Sequence, residues 1–531
     1  MVISLTPEFE ASCADNQNYP INLVYKSASL FKLRSFKTQL DEASTNLFST
    51  SDPGADVRFL DSAPQQTPGT QAGPRNHDFQ EFIINGDATL RGHLGNTISR
   101  DPQTGTRTGH LATKEDPICR FIFIWAAHSR AKLKITRLML ARILSYFQVM
   151  QGYLHFVSVF GQQSLPYNTR FSGFRSETVI SAPAPGCEMP DLKRSGRQYQ
   201  LCYNLKSVAC TSPVTEPTRT KQWSIRQVAP YHRFDVVFGT ALWLITKGDL
   251  LMEEYIRDLV GPQGRLQDRS FGSPSECFVS SLAVHLLFVS WAAEGWTAYL
   301  RWLEEVVDSE TKIAVIGPRG FGDGRREYKP EDLQRVQQFE EKANEATMVL
   351  EGNIDVLTSL RGYYEELLHH RDFDLKASCA QEIGTFATQV NDAVYETRMH
   401  VSRAKLLLRI ISDRKSLVLQ HLQTQAAEKM EIMTVLAQKE AIAMRVITVV
   451  TLIYLPATFV STFFSTDVVK YQNQDDASGA SFSELAMLRW IQVTLPLTFV
   501  TLIGGWCFYK RSQRRQHERL PFYAPLELKQ T

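Results

Sequence analysis

The 531-residue chain lacks the marks of most function classes. An excess of one charge is missing: 58 Lys and Arg stand against 56 Asp and Glu, a net of +2. A dedicated nucleic-acid binder carries a larger basic surplus, so no nucleic-acid partner is expected. Cysteine is sparse and scattered (Cys13, Cys119, Cys187, Cys202, Cys210, Cys277, Cys379, Cys507), with no CxxC pair. That excludes a disulfide framework and a zinc site of paired ligands, and the thiols read as reduced residues of a cytosolic body. The opening MVISLTPEFEASCADNQ is acidic and holds no long apolar stretch, so it is not read as a signal peptide. GxGxxG, GxxxxGK[ST], HExxH and GxSxG are all absent. His128, His232, His285, His369 and His370 show no metal spacing. With no catalytic constellation, neither an enzyme nor a cofactor is expected. KIAVIGPRGFGDGR (312–325) has a strand-like start followed by glycines, but it lacks the lysine and hydroxyl of a phosphate loop and reads as a mobile connection.

The chain does contain two long runs without charge near its C-terminus. Val446–Phe464 and Trp490–Tyr509 are 19 and 20 residues long. Each suffices to cross a hydrocarbon core of roughly 30 Å as a helix. Pro456 and Pro496 lie inside them, which membrane helices tolerate. Arg445 precedes the first run, and Trp490 and Tyr509 sit where an aromatic belt places such rings. Lys510, Arg511, Arg514 and Arg515 follow the second run, whereas the loop 465–489 is acidic. The positive-inside rule then predicts a two-pass protein with both termini cytoplasmic and the loop outside. A third apolar run, Cys277–Ala293, contains His285 and several serines and reads as a buried helix of the soluble body.

The remainder divides by composition. Residues 1–43 form an N-terminal segment. Residues 44–116, rich in Ser, Thr, Gly, Pro, Gln and Asp, read as a flexible low-complexity linker, with order beginning near Ile118. Residues 117–328 mix strand patterns (Phe121–Ala126, Tyr199–Val208, Trp223–Ile245, with a turn at Phe238-Gly239) and helical ones, predicting an α+β or α/β domain. Residues 329–445 carry helical periodicity after Pro330, broken only at HHRDFD (369–374). They predict two long helices packed as a hairpin or coiled coil, a stalk whose second helix enters the membrane. The fold expected is thus an α+β cytosolic domain, long stalk helices and two C-terminal transmembrane helices.

Along the first membrane helix and the residues just before it, Met444, Ile447, Thr451, Leu455, Thr458 and Thr462 share one helix face, and Asp467 follows at the outer end. With this helix innermost in an oligomer, Thr458 and Thr462 would contact a permeating ion, Leu455 and Met444 would form apolar constrictions, and Asp467 would give a carboxylate ring able to hold a hydrated divalent cation. The same residues also fit a plainer reading, in which the threonines bond back to their own helix and Asp467 merely ends the span.

The order of these parts resembles the CorA family of divalent-cation channels: a cytosolic α/β domain, long helices, then two C-terminal spans. VITVVTLIYLPATFVSTFF resembles that family's first span with its internal proline, and Lys510–Arg515 its basic tail. RFIFIWAAHSR (120–130), FSGFR (171–175), YQLCYNL (199–205), WSIRQVAPYHRFD (223–235) and SWAAEGWTAYLRWLEE (290–305) resemble the divergent CorA-like proteins of filamentous fungi. The resemblance implies a homopentamer in a lipid bilayer, a pore lined by the first span, and Mg2+ as the transported ion. The family's Gly-Met-Asn signature is replaced here by Ser465-Thr466-Asp467, which keeps an oxygen ligand, adds charge and loses the glycine. A second reading stays open: a membrane-anchored scaffold or sensor that keeps the fold without transport.

Overall fold

The computed structural model describes residues 3–62, 79–95, 97–100, 107–110, 114–162, 170–213, 215, 217, 220–316, 327–465 and 484–518. It divides into two compact units, Met1–Leu419 and Gln420–Thr531.

The first unit opens with α1 (Pro7–Ala14) and α2 (Leu30–Leu47), followed by β1 (Val57–Ser62), β2 (Phe79–Ile84), α3 (Asp87–His93), β3 (Thr97–Arg100) and β4 (Arg107–His110). Next come β5 (Cys119–Trp125), α4 (Arg137–Tyr146), α5 (Leu154–Val157), β6 (Phe174–Val179), β7 (Gln198–Tyr203) and β8 (Leu205–Cys210). β9 (Trp223–Asp235), β10 (Ala241–Lys247), α6 (Leu251–Val260), α7 (Pro274–Ala293), α8 (Trp296–Ile316) and α9 (Pro330–His369) follow. The 89-residue α10 (Lys376–Phe464) begins in this unit and continues past its boundary, and α11 (Glu484–Glu518) closes the described chain.

One mixed sheet organises the unit, in the order β2-β1-β5-β10-β9-β7-β6, with β8 paired to β9 beside that path. β5 and β10 run parallel, and the other pairs of this sheet are antiparallel. The central strands read as unbroken apolar runs because both faces are covered. Ile122, Ile124, Leu242 and Leu244 pack toward α1, α2 and α4. Phe121, Phe123, Trp243 and Ile245 pack toward α6, α7, α9 and the start of α10. The result is a helix–sheet–helix sandwich. A third cluster joins α8 to α9 and α10 through Trp296, Leu303, Val336, Leu350 and Ile411.

Three readings need correction. The stretch 44–116 is not wholly a linker, and order does not begin at Ile118. β1 is almost wholly buried and pairs with β5, while Asp61 of β1 takes a bidentate ion pair from Arg120 of β5 (Nε–Oδ1 and Nη2–Oδ2 both 2.7 Å). α3 is tied in by Asp87, which accepts from Arg142 at 2.6 and 3.0 Å. Residues 63–78 of that stretch lie outside the described residues. The segment 1–43 is likewise core: Phe9, Tyr19, Leu33 and Leu40 are buried, and the Tyr19 hydroxyl donates to the Val149 carbonyl at 2.8 Å. Finally, Lys312–Ile316 is the last turn of α8 rather than a strand. The glycines at 317–324 lie outside the described residues.

Elsewhere the expected elements stand close to where periodicity placed them. The Phe238-Gly239 turn joins β9 to β10. Gly239 adopts φ +71°, and a Cβ there would meet Pro274 Cα at 2.6 Å. The α7–α8 corner depends on Gly295 (φ +81°), whose Cβ would lie 2.2 Å from the Val208 carbonyl oxygen. The apolar run 277–293 lies within α7 and is mostly buried inside the unit.

The core also brings together histidines that are distant in sequence. Tyr203 Oη lies 2.7 Å from His285 Nδ1, His285 Nε2 lies 3.3 Å from His232 Nδ1, and His232 stacks on Trp243 at 4.0 Å. Burial, and then the neighbouring His285, push His232 well below the usual histidine range; burial alone brings His285 to about 3. Among the described residues no third His, Cys, Asp or Glu completes a metal-ligand group.

A candidate pore helix

Among the described residues, three helical stretches are long and apolar enough to cross a membrane: Pro274–Lys312, the C-terminal part of α10, and Glu484–Arg511 of α11. The first is already buried among its own unit's helices and sheet. The apolar windows of the other two are almost bare, 11% and 6% buried. In water such surfaces would cost on the order of 25 cal/mol per Å2; in a bilayer they are at home.

Within the second unit, α10 and α11 pack antiparallel. The Trp490 indole N–H donates to Ser461 Oγ at 3.0 Å near one end. Midway along, the Leu452 methyl carbons lie 3.6 Å from where a Cβ on Gly505 would sit, so the glycine lets the two helices approach closely. The Arg445 guanidinium lies 5.8 Å from the Tyr509 ring at the other end. The buried residues of this seam are Pro456 and Val460 on α10 and Thr494, itself 6% exposed, on α11.

That seam fixes where the sequence-predicted residues point. Leu455 and Met444 are 64% and 67% exposed, and Thr458 and Thr462 are exposed with them. At 100° per residue they lie on the side of α10 opposite Pro456 and Val460. The threonine hydroxyls donate to their own helix: Thr458 to Tyr454 O (3.1 Å) and Leu455 O (3.0 Å), Thr462 to Thr458 O (2.7 Å), and Thr451 to Ile447 O (2.8 Å). This is the back-bonding expected of the plainer reading. It uses the proton and leaves oxygen lone pairs outward. Ser465 ends the helix, its N–H shared between Ser461 O (3.1 Å) and Thr462 O (3.2 Å). Thr466 and Asp467 lie outside the described residues, so the structure puts Thr458, Thr462, Leu455 and Met444 on one exposed face of α10 but does not place the carboxylate.

On α11, Lys510 Nζ sits 4.7 Å from the Trp506 ring, and Arg511 is exposed. Arg514 and Arg515 also fall on the helix, which continues to Glu518 rather than ending at the span. Sequence reasoning missed the ties Ser461–Trp490 and Arg445–Tyr509. The available signal was the matched spacing of polar and aromatic residues at the ends of the two runs.

The family model of CorA-like transporters matches residues 11–315. The chain belongs to the CorA-like transporter family. The match covers the second half of α1, all of α2 and β1 through β10, so most of residues 1–116 falls within the family's domain. Among solved structures, the chain is similar to the CorA magnesium transporter of Methanocaldococcus jannaschii at 10% identity and TM-score 0.31, covering 77% of this chain and 95% of that one. It is also similar to the full-length CmaX protein at 10% identity and TM-score 0.33, covering 87% of this chain and 99% of that one. No curated protein matches the chain.

Proposed function

We propose that this CorA-like protein is a passive divalent-cation channel of the Mg2+ type, an oligomer whose pore is lined by the C-terminal part of α10. The observation that carries the proposal is the orientation of that helix. Its Thr458–Thr462 face turns away from the seam with α11 and is the face left for other copies of the same helix. A ring of such helices would present threonine oxygens inward, with Leu455 and Met444 as apolar constrictions and Asp467 of each copy at the outer mouth. Hydroxyl and carboxylate oxygens are hard ligands suited to Mg2+, which keeps several of its waters. By the resemblance the ring would be a pentamer. The two charge-free spans and the basic Lys510, Arg511, Arg514 and Arg515 favour a two-pass topology with both termini cytoplasmic.

The test is metal uptake into cells stripped of their own Mg2+ transporters. Wild-type protein is expected to restore uptake, and Asp467→Ala and Thr458→Val to reduce it. Unchanged uptake in both variants would remove the pore assignment. A correctly assembled wild-type protein without uptake would instead support the scaffold reading, which the Ser465-Thr466-Asp467 replacement favours.

A further inference from the structure

A cleft of about 200 Å3 opens in the first unit between α2, α5 and the edge strand β6. Three elements each bring one basic side chain to it: Lys32 from the first turn of α2, His155 from α5 and Arg175 from β6. Phe36 and Met150 line it as buried apolar residues. The Arg175 stem packs over Gly152, where a Cβ would meet Arg175 Cγ at 3.8 Å. The His155 ring meets Phe36 edge to face at 4.8 Å. Among the described residues neither Lys32 nor Arg175 has an ion-pair partner, and neither their charged ends nor the His155 ring makes a hydrogen bond. No acidic residue stands in the first turn of α2, where the helix dipole favours one. The basic groups oppose one another: burial, then Arg175, then Lys32 lower His155. Near pH 7 that ring is neutral and has one N–H to give.

One carboxylate shares the cleft. Glu177 lies two residues beyond Arg175 on β6 and therefore on the same face of the strand. Burial raises it, and a hydrogen bond with Ser27 holds it partly down. The Ser27 hydroxyl oxygen in turn accepts from Gln151 Nε2 at 3.0 Å. When ionised, Glu177 keeps acceptor sites beyond its bond with Ser27.

We infer that this cleft binds inorganic phosphate, held as the hydrogen-phosphate ion. The planar Arg175 fork, the Lys32 ammonium and the His155 N–H are donors suited to a tetrahedral oxyanion. They would serve sulfate as well, and Glu177 decides between the two. Sulfate carries no proton at neutral pH and meets Glu177 only as a like charge. Hydrogen phosphate keeps an O–H, which Glu177 accepts. A phosphate ester has mostly lost that proton above its second pKa near 6, so the free ion is favoured over an ester such as a lipid headgroup. The size agrees: a cleft of this volume has room for on the order of six waters, and the ion has about five non-hydrogen atoms. The site is independent of the pore reading and gives the soluble unit a ligand of its own.

The experiment is equilibrium dialysis of the full-length protein in detergent against radiolabelled phosphate, at pH 7.5 without divalent cations. Sulfate and glycerol 3-phosphate are the competitors. Saturable binding at millimolar concentration or better is expected, with both competitors about tenfold or more weaker than unlabelled phosphate. Arg175→Gln and Lys32→Gln are each expected to weaken phosphate about tenfold or more; both residues are exposed, so their replacement spares the core. Glu177→Gln is expected to bring sulfate to within about threefold of phosphate, because the amide no longer repels it. No saturable phosphate binding by the wild type would overturn the inference, as would unchanged affinity in both Arg175→Gln and Lys32→Gln. Sulfate competing as well as phosphate against the wild type would remove the role of Glu177 and with it the choice of ion. Glycerol 3-phosphate competing as well as phosphate would point to an ester headgroup and overturn the assignment of the free ion.

Discussion

Acid is expected to weaken the soluble unit through His232 and His285. Both rings are fully buried, and their folded-state pKa values lie below the usual histidine value near 6.5. The unfolded chain therefore binds protons that the folded chain refuses. The stability these neutral rings contribute is complete above about pH 6.5. It is lost as pH falls below that value toward the folded pKa, about 3 for His285. For a ring that stays neutral in the folded state the loss is on the order of 1 kcal/mol per pH unit below 6.5, so moving from pH 7.5 to 5.5 removes on the order of 1 kcal/mol through His285, and His232 adds to it in the same direction. The assay is urea unfolding of the full chain in detergent at the two pH values, read by tryptophan fluorescence; Trp243, stacked on His232 at 4.0 Å, reports on the site directly. Other groups titrate over the same interval, and a variant isolates the pair. His285→Gln keeps a hydrogen-bonding partner for Tyr203 but cannot take up the proton. Its loss between pH 7.5 and 5.5 is expected to be smaller than that of wild type by on the order of 1 kcal/mol. An equal loss in both proteins would show that the rings are not buried neutral and would refute the reasoning.

Further outcomes follow from other buried charges and from the membrane helix. Lys206, held by Phe171 O (2.6 Å) and Ser172 Oγ (2.7 Å) with burial bringing it down to about 7, makes wild-type stability rise between pH 7 and 9 by about 1.4 kcal/mol per unit. Lys206→Met should flatten that slope, as read from unfolding midpoints at each pH. Asp61→Ala removes the bidentate partner of the buried Arg120 guanidinium and leaves it Asp116 at 3.9 Å, and is expected to cost about 3 kcal/mol, measurable as a lowered melting temperature, whereas a β1 without a place in the sheet would show no change. Thr458→Cys and Leu455→Cys, on the face turned away from α11, should be modified from the aqueous side by a small charged thiol reagent, while Val460→Cys on the seam should be protected. Equal labelling of all three would refute the assignment of faces.

How far the sequence foretold the structure depended on whether a residue's surroundings repeat with a period. The spans and α9 were legible because apolar residues recur at helical spacing, and β5, β9 and β10 because strands covered on both faces are apolar throughout. β1 was not legible. VRFLDS has Arg58 and Asp61 among six residues and lies between Ser-, Gly- and Pro-rich stretches, so its composition is that of a loop. What makes it a strand is long-range: Asp61 is tolerated inside because Arg120, 59 positions away, neutralises it. No local window contains that fact. KIAVI failed in the opposite sense. Its β-branched residues favour a strand, yet the α8 helix carries through them, held where Thr311 Oγ1 donates to Val307 O at 2.6 Å and Ala314 N–H to the Tyr328 hydroxyl at 2.7 Å. The candidate pore shows the same division. Helical spacing alone grouped Met444, Leu455, Thr458 and Thr462 on one face, but spacing does not say whether that face is packed or free. Pro456 and Val460 decide it by taking the seam against α11. The threonine face is thereby left out of the seam with α11, so the pore reading rests on a contact that the threonines do not make.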